Sequence, residues 1–249
     1  MTTITLSNQR IFWTLHLISL VLLLLDFWAY YGGWLHDKDM RELINITLEG
    51  NLPTWFSSAQ FVAVGVVAWL NRRQRLAMNM PEAAKVWLWI AVFFIYDGID
   101  DTAQIHERTG TAFGHLAKAY AKTSALADNA FHYPSYYWQI VLGPFFVLFG
   151  LYMAKFFYKE FSLRLKIIFL SGMACYASKI GIDFVEGATR LEFLSVPLDL
   201  SYHETRHLFR AIEDWMKMLG STMLLGAFME HLRMLTEQSA TAIEIRLRA

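Results

Sequence analysis

The stretch 11–31 reads IFWTLHLISLVLLLLDFWAYY. A helix needs about 20 predominantly apolar residues to cross the hydrocarbon core of a bilayer, and this stretch has that length. Its one carboxylate, Asp26, and the aromatic residues Trp28 and Tyr31 come near one end, where the headgroup layer accepts such side chains. The pattern predicts a first transmembrane helix.

Five more apolar stretches follow at about 54–71, 84–101, 137–157, 165–186 and 208–232. Hydrophobic residues make up 55% of the 249 residues and charged residues 18%, a more apolar composition than soluble domains usually have. No repeat or low-complexity linker divides the chain. We therefore expect an all-α fold, a single transmembrane helical domain over residues 1–249 with about six transmembrane helices.

The positions of lysine and arginine predict the orientation, because short loops rich in these residues stay in the cytoplasm. The cationic segments are the N-terminus with Arg10, the loop near 72–85, the loop near 155–166 and the tail from Arg233 onward. Six crossings place all four on one side. We expect both termini in the cytoplasm and the loops near 32–53, 102–136 and 187–207 outside it.

The formal net charge is zero at pH 7, so the chain as a whole has no electrostatic attraction for nucleic acid. The expected partners are the lipid bilayer and a small-molecule or lipid substrate.

Ionisable residues in the apolar stretches are the functional candidates, because a charge in hydrocarbon is costly unless it is paired or bound to an ion. In the third stretch, helical spacing predicts one acidic face with His106 pointing away from it; that face holds Asp97, Asp100, Asp101, Gln104 and Glu107. In the fifth stretch, Lys179 and Asp183 have the spacing of an i,i+4 ion pair.

The fifth and sixth stretches carry further charged residues. Glu186 and Arg190 follow Asp183, and the sixth stretch has Glu213 at the edge of a polar stripe formed by His203, His207, Arg210, Asp214, Lys217 and Ser221. With the predicted orientation, all these groups lie near the extracytoplasmic ends of their helices. Ion pairing that fastens helices together is the alternative interpretation of each group taken alone.

The segment 203–207 reads HETRH, the H-E-x-x-H spacing in which two histidines on adjacent turns bind zinc. Arg206 would put a cation beside the metal. The alternative, a helix start with two solvated histidines, therefore remains open.

Our leading hypothesis is a carboxylate and histidine site that holds a divalent cation, either zinc, iron or manganese. The expected metal ligands are Asp97, Asp100, Asp101, Asp183, Glu186, His203, His207 and Asp214. Metal-bound hydroxide would attack a lipid-derived or periplasmic substrate, with Glu107 and Glu213 as the catalytic carboxylates.

Two other classes of function remain open. In a proton- or cation-coupled transporter or channel, the same carboxylates would bind and pass the ion, and polar residues would continue to the cytoplasmic side. In a non-catalytic membrane partner protein, the charges would only fasten the helices together.

Three motifs resemble a family of bacterial multi-pass membrane proteins without a known activity. They are EGNLPTWFSS at 49–58, Asp100-Asp101 ahead of His106-Glu107, and Glu213-Asp214 ahead of Leu219-Gly220. The resemblance implies a bacterial inner-membrane protein. The chain is also faintly similar to alkaline-ceramidase-like membrane hydrolases, whose zinc is held by His and Asp from several helices, although most of the expected His and Ser positions are missing.

Overall fold

A computed structural model of the chain describes the backbone of residues 7–33, 35–189 and 200–248 and the side chains of these ranges except 189 and 240–248. The described residues are all-helical. In chain order the helices are α1 (Asn8–Tyr31), α2 (Lys38–Ile44), α3 (Leu52–Ala77), α4 (Pro81–Ala103), α5 (Ile105–Tyr120), α6 (Ala125–Phe131), α7 (Trp138–Glu160), α8 (Leu163–Thr189) and α9 (Tyr202–Arg248).

Each of the six predicted stretches lies in one of the long helices, α1, α3, α4, α7, α8 and α9. Four of them, α1, α3, α7 and α8, are long and apolar enough to cross a membrane. The stretches in α4 and α9 contain more charged and polar residues.

Capping residues mark where several helices begin. The side chain of Asn51 accepts a hydrogen bond from the backbone N–H of Thr54 at 3.1 Å, which caps α3, and Pro53 occupies its first turn. Asp37 caps α2 in the same way. Between α3 and α4, Asn79 adopts a positive φ of 56°, which allows the chain to reverse within a few residues.

α9 is the central helix of the bundle and packs against α1, α3 and α8, while α4 packs against α3. The pair α3 and α4 approach closely at two glycines, Gly65 and Gly98. A Cβ atom on Gly98 would lie 3.0 Å from the backbone oxygen of Ser58 and 3.2 Å from Cβ of Phe61. Glycine is therefore what permits this helix crossing.

The core contains interlocked aromatic rings from four helices. Trp87 of α4 is fully buried, with its ring 4.9 Å from that of Phe228 and 5.1 Å from that of Phe157. Phe169 of α8 lies 4.7 Å from Phe157. These spacings are typical of favourable edge-to-face and tilted ring pairs.

The two ends of the bundle differ in composition. One end, called the polar end below, is formed by the C-terminal ends of α1, α4 and α8 and by the N-terminal ends of α3, α7 and α9. Most of the candidate residues of the sequence analysis lie there.

A Gly98→Leu variant should lose about 1–3 kcal/mol of stability, because the new side chain has no room between α3 and α4. Thermal unfolding in detergent, followed by size-exclusion chromatography, measures this loss. Gly181→Leu on α8 is the matched control, since nothing lies within 4 Å of a Cβ there. Equal melting temperatures of the two variants would contradict the assigned crossing.

Candidate functional site

A buried ion pair joins α4 and α9 at the polar end. The ammonium of Lys217 lies 2.7 Å from a carboxylate oxygen of Asp101 and 2.8 Å from one of Asp214. The hydroxyls of Ser57 and Ser58, on α3, donate to the other oxygen of Asp101. Three helices thus share one network in which every charge has a partner.

Three further ion pairs join α8 to α9. Lys179 contacts Glu213 at 3.0 Å. Glu186 is buried and contacts both Arg206 and Arg210 at 2.8 Å. Asp183 accepts hydrogen bonds from the indole N–H of Trp138 at 3.1 Å and from the Gln139 amide at 3.2 Å.

These contacts correct one expectation of the sequence analysis. The i,i+4 ion pair of Lys179 with Asp183 was wrong, because Lys179 turns to Glu213 on the neighbouring helix instead. Arg190, the other expected partner of this region, lies outside the described residues.

Tyr136, just before α7, joins the network of Glu186. Its hydroxyl donates to the carboxylate at 3.1 Å. Burial raises the pKa of Tyr136, and the carboxylate of Glu186 raises it further, so the phenol stays protonated and remains a donor.

The acidic face predicted through Glu107 is interrupted. α4 ends at Ala103 because Gln104 adopts a left-handed conformation, with φ 55° and ψ 39°. The chain then turns, so Glu107 lies exposed on α5 and His106 folds back towards α4. The continuous acidic face was wrong. The outward direction of His106 was expected only for a helix that continues that far, and α4 ends at Ala103.

His106 and Asp100 form a compact pair across this break. The imidazole Nδ1 lies 2.6 Å from one oxygen of Asp100, and the backbone N–H of His106 donates to the other at 2.7 Å. In such a pair the carboxylate orients the ring, and the other nitrogen, Nε2, is available for proton transfer.

A second pair of one histidine and one carboxylate lies between α1 and α9. His207 is buried, stacks on Tyr30 with ring centroids 3.5 Å apart, and has Nε2 3.4 Å from Asp26. His203, one turn earlier, is exposed. The two histidines of the HETRH segment therefore have different surroundings.

The expected metal ligands are divided among these separate contacts. In residues 7–33, 35–189 and 200–239, no group of three or more His, Cys, Asp or Glu side chains is arranged to hold a metal ion. Of the two expected catalytic carboxylates, Glu107 is exposed on α5 and Glu213 is paired with Lys179.

A cavity of about 520 Å³ lies between α4, α7 and α8 and is called the lateral cavity below. Most of its wall is apolar and aromatic, with side chains such as Phe93, Phe146, Phe149 and Met173. Its polar end is lined by Asp97, Asp100, Asp101, His106, Lys179 and Lys217.

The lateral cavity reaches the outer surface of the bundle between α7 and α8. Its lining residues Val147, Leu151 and Leu170 are 59%, 63% and 55% exposed. Sequence patterns did not reveal this cavity, because a gap between helices arises from how they pack. The one sequence signal near it is Gly150 of α7, which lines the cavity and has no side chain to fill the space there.

Asp97 differs from the other carboxylates of the polar end. It lines the lateral cavity, and within the described part of the chain no hydrogen bond or ion pair holds its carboxylate. Sequence analysis selected Asp97 as one ligand of a group, and the structure distinguishes it as a carboxylate that lines the cavity without a hydrogen bond or ion pair to the described residues.

The opposite end of the bundle has a polar cluster that the sequence analysis missed. Arg75 of α3 forms an ion pair with Glu160 of α7, and His231 of α9 lies 3.8 Å from the same carboxylate. Next to this cluster, the buried amide of Asn71 on α3 donates to the backbone oxygen of Phe228 on α9 at 3.0 Å. Between this contact and the Gln60–Thr222 hydrogen bond nearer the polar end, α3 and α9 meet through buried apolar side chains such as Val64, Ala68 and Leu224.

A Lys217→Met variant should lose about 3–5 kcal/mol of stability, because Asp101 is then left in the bundle without its cation. Adding Asp101→Asn should recover a large part of this loss. Thermal unfolding in detergent measures both effects. Arg233→Met is the control; its guanidinium is half exposed, so the loss should stay below about 1 kcal/mol. A Lys217→Met variant as stable as the control would show that the pair contributes nothing.

Comparison with known proteins gives a family and no activity. No curated protein and no solved structure matches the chain. None of the comparisons connects it with the alkaline-ceramidase-like hydrolases. One family model matches residues 14–232, which is most of the sequence, and the chain therefore belongs to the family described as Domain of unknown function (DUF8692).

Proposed function

We propose that this protein is a six-helix bundle of the bacterial inner membrane that takes a single-chain amphiphile from the bilayer into the lateral cavity. The apolar chain of the ligand occupies the aromatic part of the cavity, and its headgroup lies at the polar end. The observation that carries this proposal is the cavity itself, apolar along its length, polar at one end and open between α7 and α8.

Packing supports α4 and α9 as the fifth and sixth crossings. Both helices turn much of their surface to other helices, as the buried residues Trp87, Phe94, Leu224 and Phe228 show. A helix surrounded by protein needs less apolar surface than one surrounded by lipid, and its polar groups can pair internally. The lower hydropathy of these two helices therefore agrees with a central position in the membrane.

Charge supports the orientation with both termini in the cytoplasm. The cationic loops near 72–85 and 155–166 lie at the end opposite the polar end, as does the start of α1. In the proposed orientation, the polar end and the headgroup region of the cavity lie on the extracytoplasmic side.

Size and surface support an amphiphile as the ligand. Pockets of about 300–1,000 Å³ are typical of small-molecule sites, and the lateral cavity falls in that range. The part along α8 from Leu170 to Ile180 is about 15 Å long at the helical rise of about 1.5 Å per residue. A long apolar cavity that opens where lipid lies is suited to an alkyl or acyl chain.

The other hypotheses have less support in this geometry. A metal-dependent hydrolase needs a ligand group, whereas the carboxylates are divided among ion pairs. A channel for protons or cations needs a continuous polar path, whereas α3 and α9 meet through apolar side chains between the Gln60–Thr222 hydrogen bond and the contact of Asn71 with the backbone of Phe228.

A metal-independent enzyme is the second candidate, and one observation favours it. The Asp100–His106 pair lines the headgroup region of the lateral cavity, where Nε2 of His106 is suited to accept a proton from a headgroup or from water. This arrangement would make the bound amphiphile a substrate.

Topology can be tested with reporter fusions. Green fluorescent protein fused after residue 249 should fluoresce, because the C-terminus is expected in the cytoplasm, and alkaline phosphatase inserted near residue 123 should be active. An inactive phosphatase at residue 123 together with an active one after residue 79 would show that the orientation is opposite to the proposed one. Activity at both positions would contradict six crossings.

Ligand entry can be tested in nanodiscs with a dodecyl alcohol that carries a photoreactive diazirine near the end of its chain. Crosslinks should map to the walls of the lateral cavity, and Gly150→Trp should reduce them to background because its ring fills the cavity. A Cβ at Gly150 would already lie 3.3 Å from Cε of Met173.

Gly143→Trp is the matched control on the same helix, since nothing lies within 4 Å of a Cβ there, and it should leave labelling unchanged. Equal labelling of the two variants would contradict the proposed function. Recovery of the ligand with an altered headgroup, lost in His106→Ala, would favour the enzyme, and recovery of intact ligand would favour binding alone.

A further inference from the structure

The charges around the headgroup region of the lateral cavity do not balance. Five carboxylates gather there with two ammoniums; the carboxylates are Asp97, Asp100, Asp101, Glu213 and Asp214, and the ammoniums are Lys179 and Lys217. His106 adds a positive charge only when it is protonated.

Both ammoniums are already engaged. Lys217 is shared by Asp101 and Asp214, and Lys179 is bound to Glu213. The imidazole of His106 is held by Asp100. Asp97, by contrast, lines the cavity and has no hydrogen bond or ion pair with the described residues.

We infer that the lateral cavity selects amphiphiles with a cationic headgroup, and that this cation replaces a proton on the carboxylate of Asp97. The inference rests on the proposed function and specifies the class of ligand. An anionic headgroup would meet Asp97, Asp100 and Asp101, while the two lysines of this region are already bound to carboxylates.

The exchange follows from the cost of an isolated charge. A carboxylate in a cavity that excludes water either carries a proton or faces a cation. The charged and titratable groups that face Asp97 come from three helices. They are Tyr96, Asp100 and Asp101 on its own helix, His106 on α5, and Tyr176 and Lys179 on α8. When a cationic headgroup arrives, the O–H bond of Asp97 breaks, the proton leaves to water, and the carboxylate keeps the electron pair and contacts the cation.

An organic cation suits this site better than a metal ion. The described residues offer no group of three metal ligands, and the cavity next to Asp97 is apolar. A quaternary ammonium attached to an alkyl chain satisfies both parts of the cavity, because aromatic rings such as Phe93, Trp138 and Phe146 also favour a weakly hydrated cation.

The experiment uses the photoreactive dodecyl alcohol in nanodiscs and three competitors that differ only in headgroup: dodecyltrimethylammonium, dodecanol and dodecyl sulfate. Dodecyltrimethylammonium should compete about tenfold better than dodecanol, and dodecyl sulfate should compete worst. In Asp97→Asn the preference of dodecyltrimethylammonium over dodecanol should disappear, while labelling by the alcohol persists. Asp128→Asn, an exposed carboxylate on α6, is the control and should keep the preference.

Proton release supplies a readout that a merely structural role would not change. The quaternary ammonium carries no exchangeable proton, so any proton released comes from the protein. Calorimetry in two buffers of different ionisation enthalpy should give close to one proton per ligand in the natural chain and none in Asp97→Asn.

The two proposals fail in different ways. If the alcohol does not label the cavity, or if Gly150→Trp does not reduce labelling, the proposed function is wrong. If labelling depends on Gly150 but the three headgroups compete equally, or Asp97→Asn keeps the preference and the proton release, only the present inference is wrong. Proton release by sodium or magnesium chloride without any alkyl chain would overturn it in favour of an inorganic cation.

Discussion

The contact of Lys217 with Asp101 and Asp214 holds together the helices on which the rest of the bundle depends. Asp214 on the same helix neutralises the ammonium of Lys217 only from α9, and the carboxylate of Asp101 extends this pairing to α4 and so ties the two helices together. Asp101 in turn is fixed by Ser57 and Ser58 of α3, which can reach it because Gly98 lets α3 and α4 come close. The close contact of α3 with α4 and the pairing of Lys217 with Asp101 therefore depend on each other.

Much of the helical framework could be predicted from the sequence, since an apolar stretch of about 20 residues has few alternatives to a helix. The details of the candidate site could not. Gln104 carries no signal of its left-handed conformation, yet this single residue turns His106 towards Asp100 and leaves Glu107 exposed. Lys179 had a partner one turn away in Asp183 but contacts Glu213, because the register between helices does not appear in helical periodicity.

The lateral cavity was hidden from sequence reasoning for a related reason. Periodicity shows which face of a helix is apolar. In α7 and α8, however, three faces are apolar: one lies towards lipid, one packs on protein and one lines the cavity. Only the arrangement of the helices separates these surfaces. The ionisable residues, by contrast, were identified as candidates from their depth alone. Among the described residues, the structure then separates the groups that are paired from Asp97, which lines the lateral cavity without a hydrogen bond or ion pair.

The apolar layer between Thr222 and Phe228 has an electrical consequence in a chain that spans the membrane as proposed. Voltage falls mainly across dry, weakly polarisable regions, and moving one charge through such a region costs about 2.3 kcal/mol per 100 mV. Asp97 and the cation that we assign to it lie on one side of that layer, and exchanging a proton for a monovalent cation leaves the local charge unchanged. Loading of the cavity would therefore respond to the acidity of the facing compartment and hardly to the membrane potential.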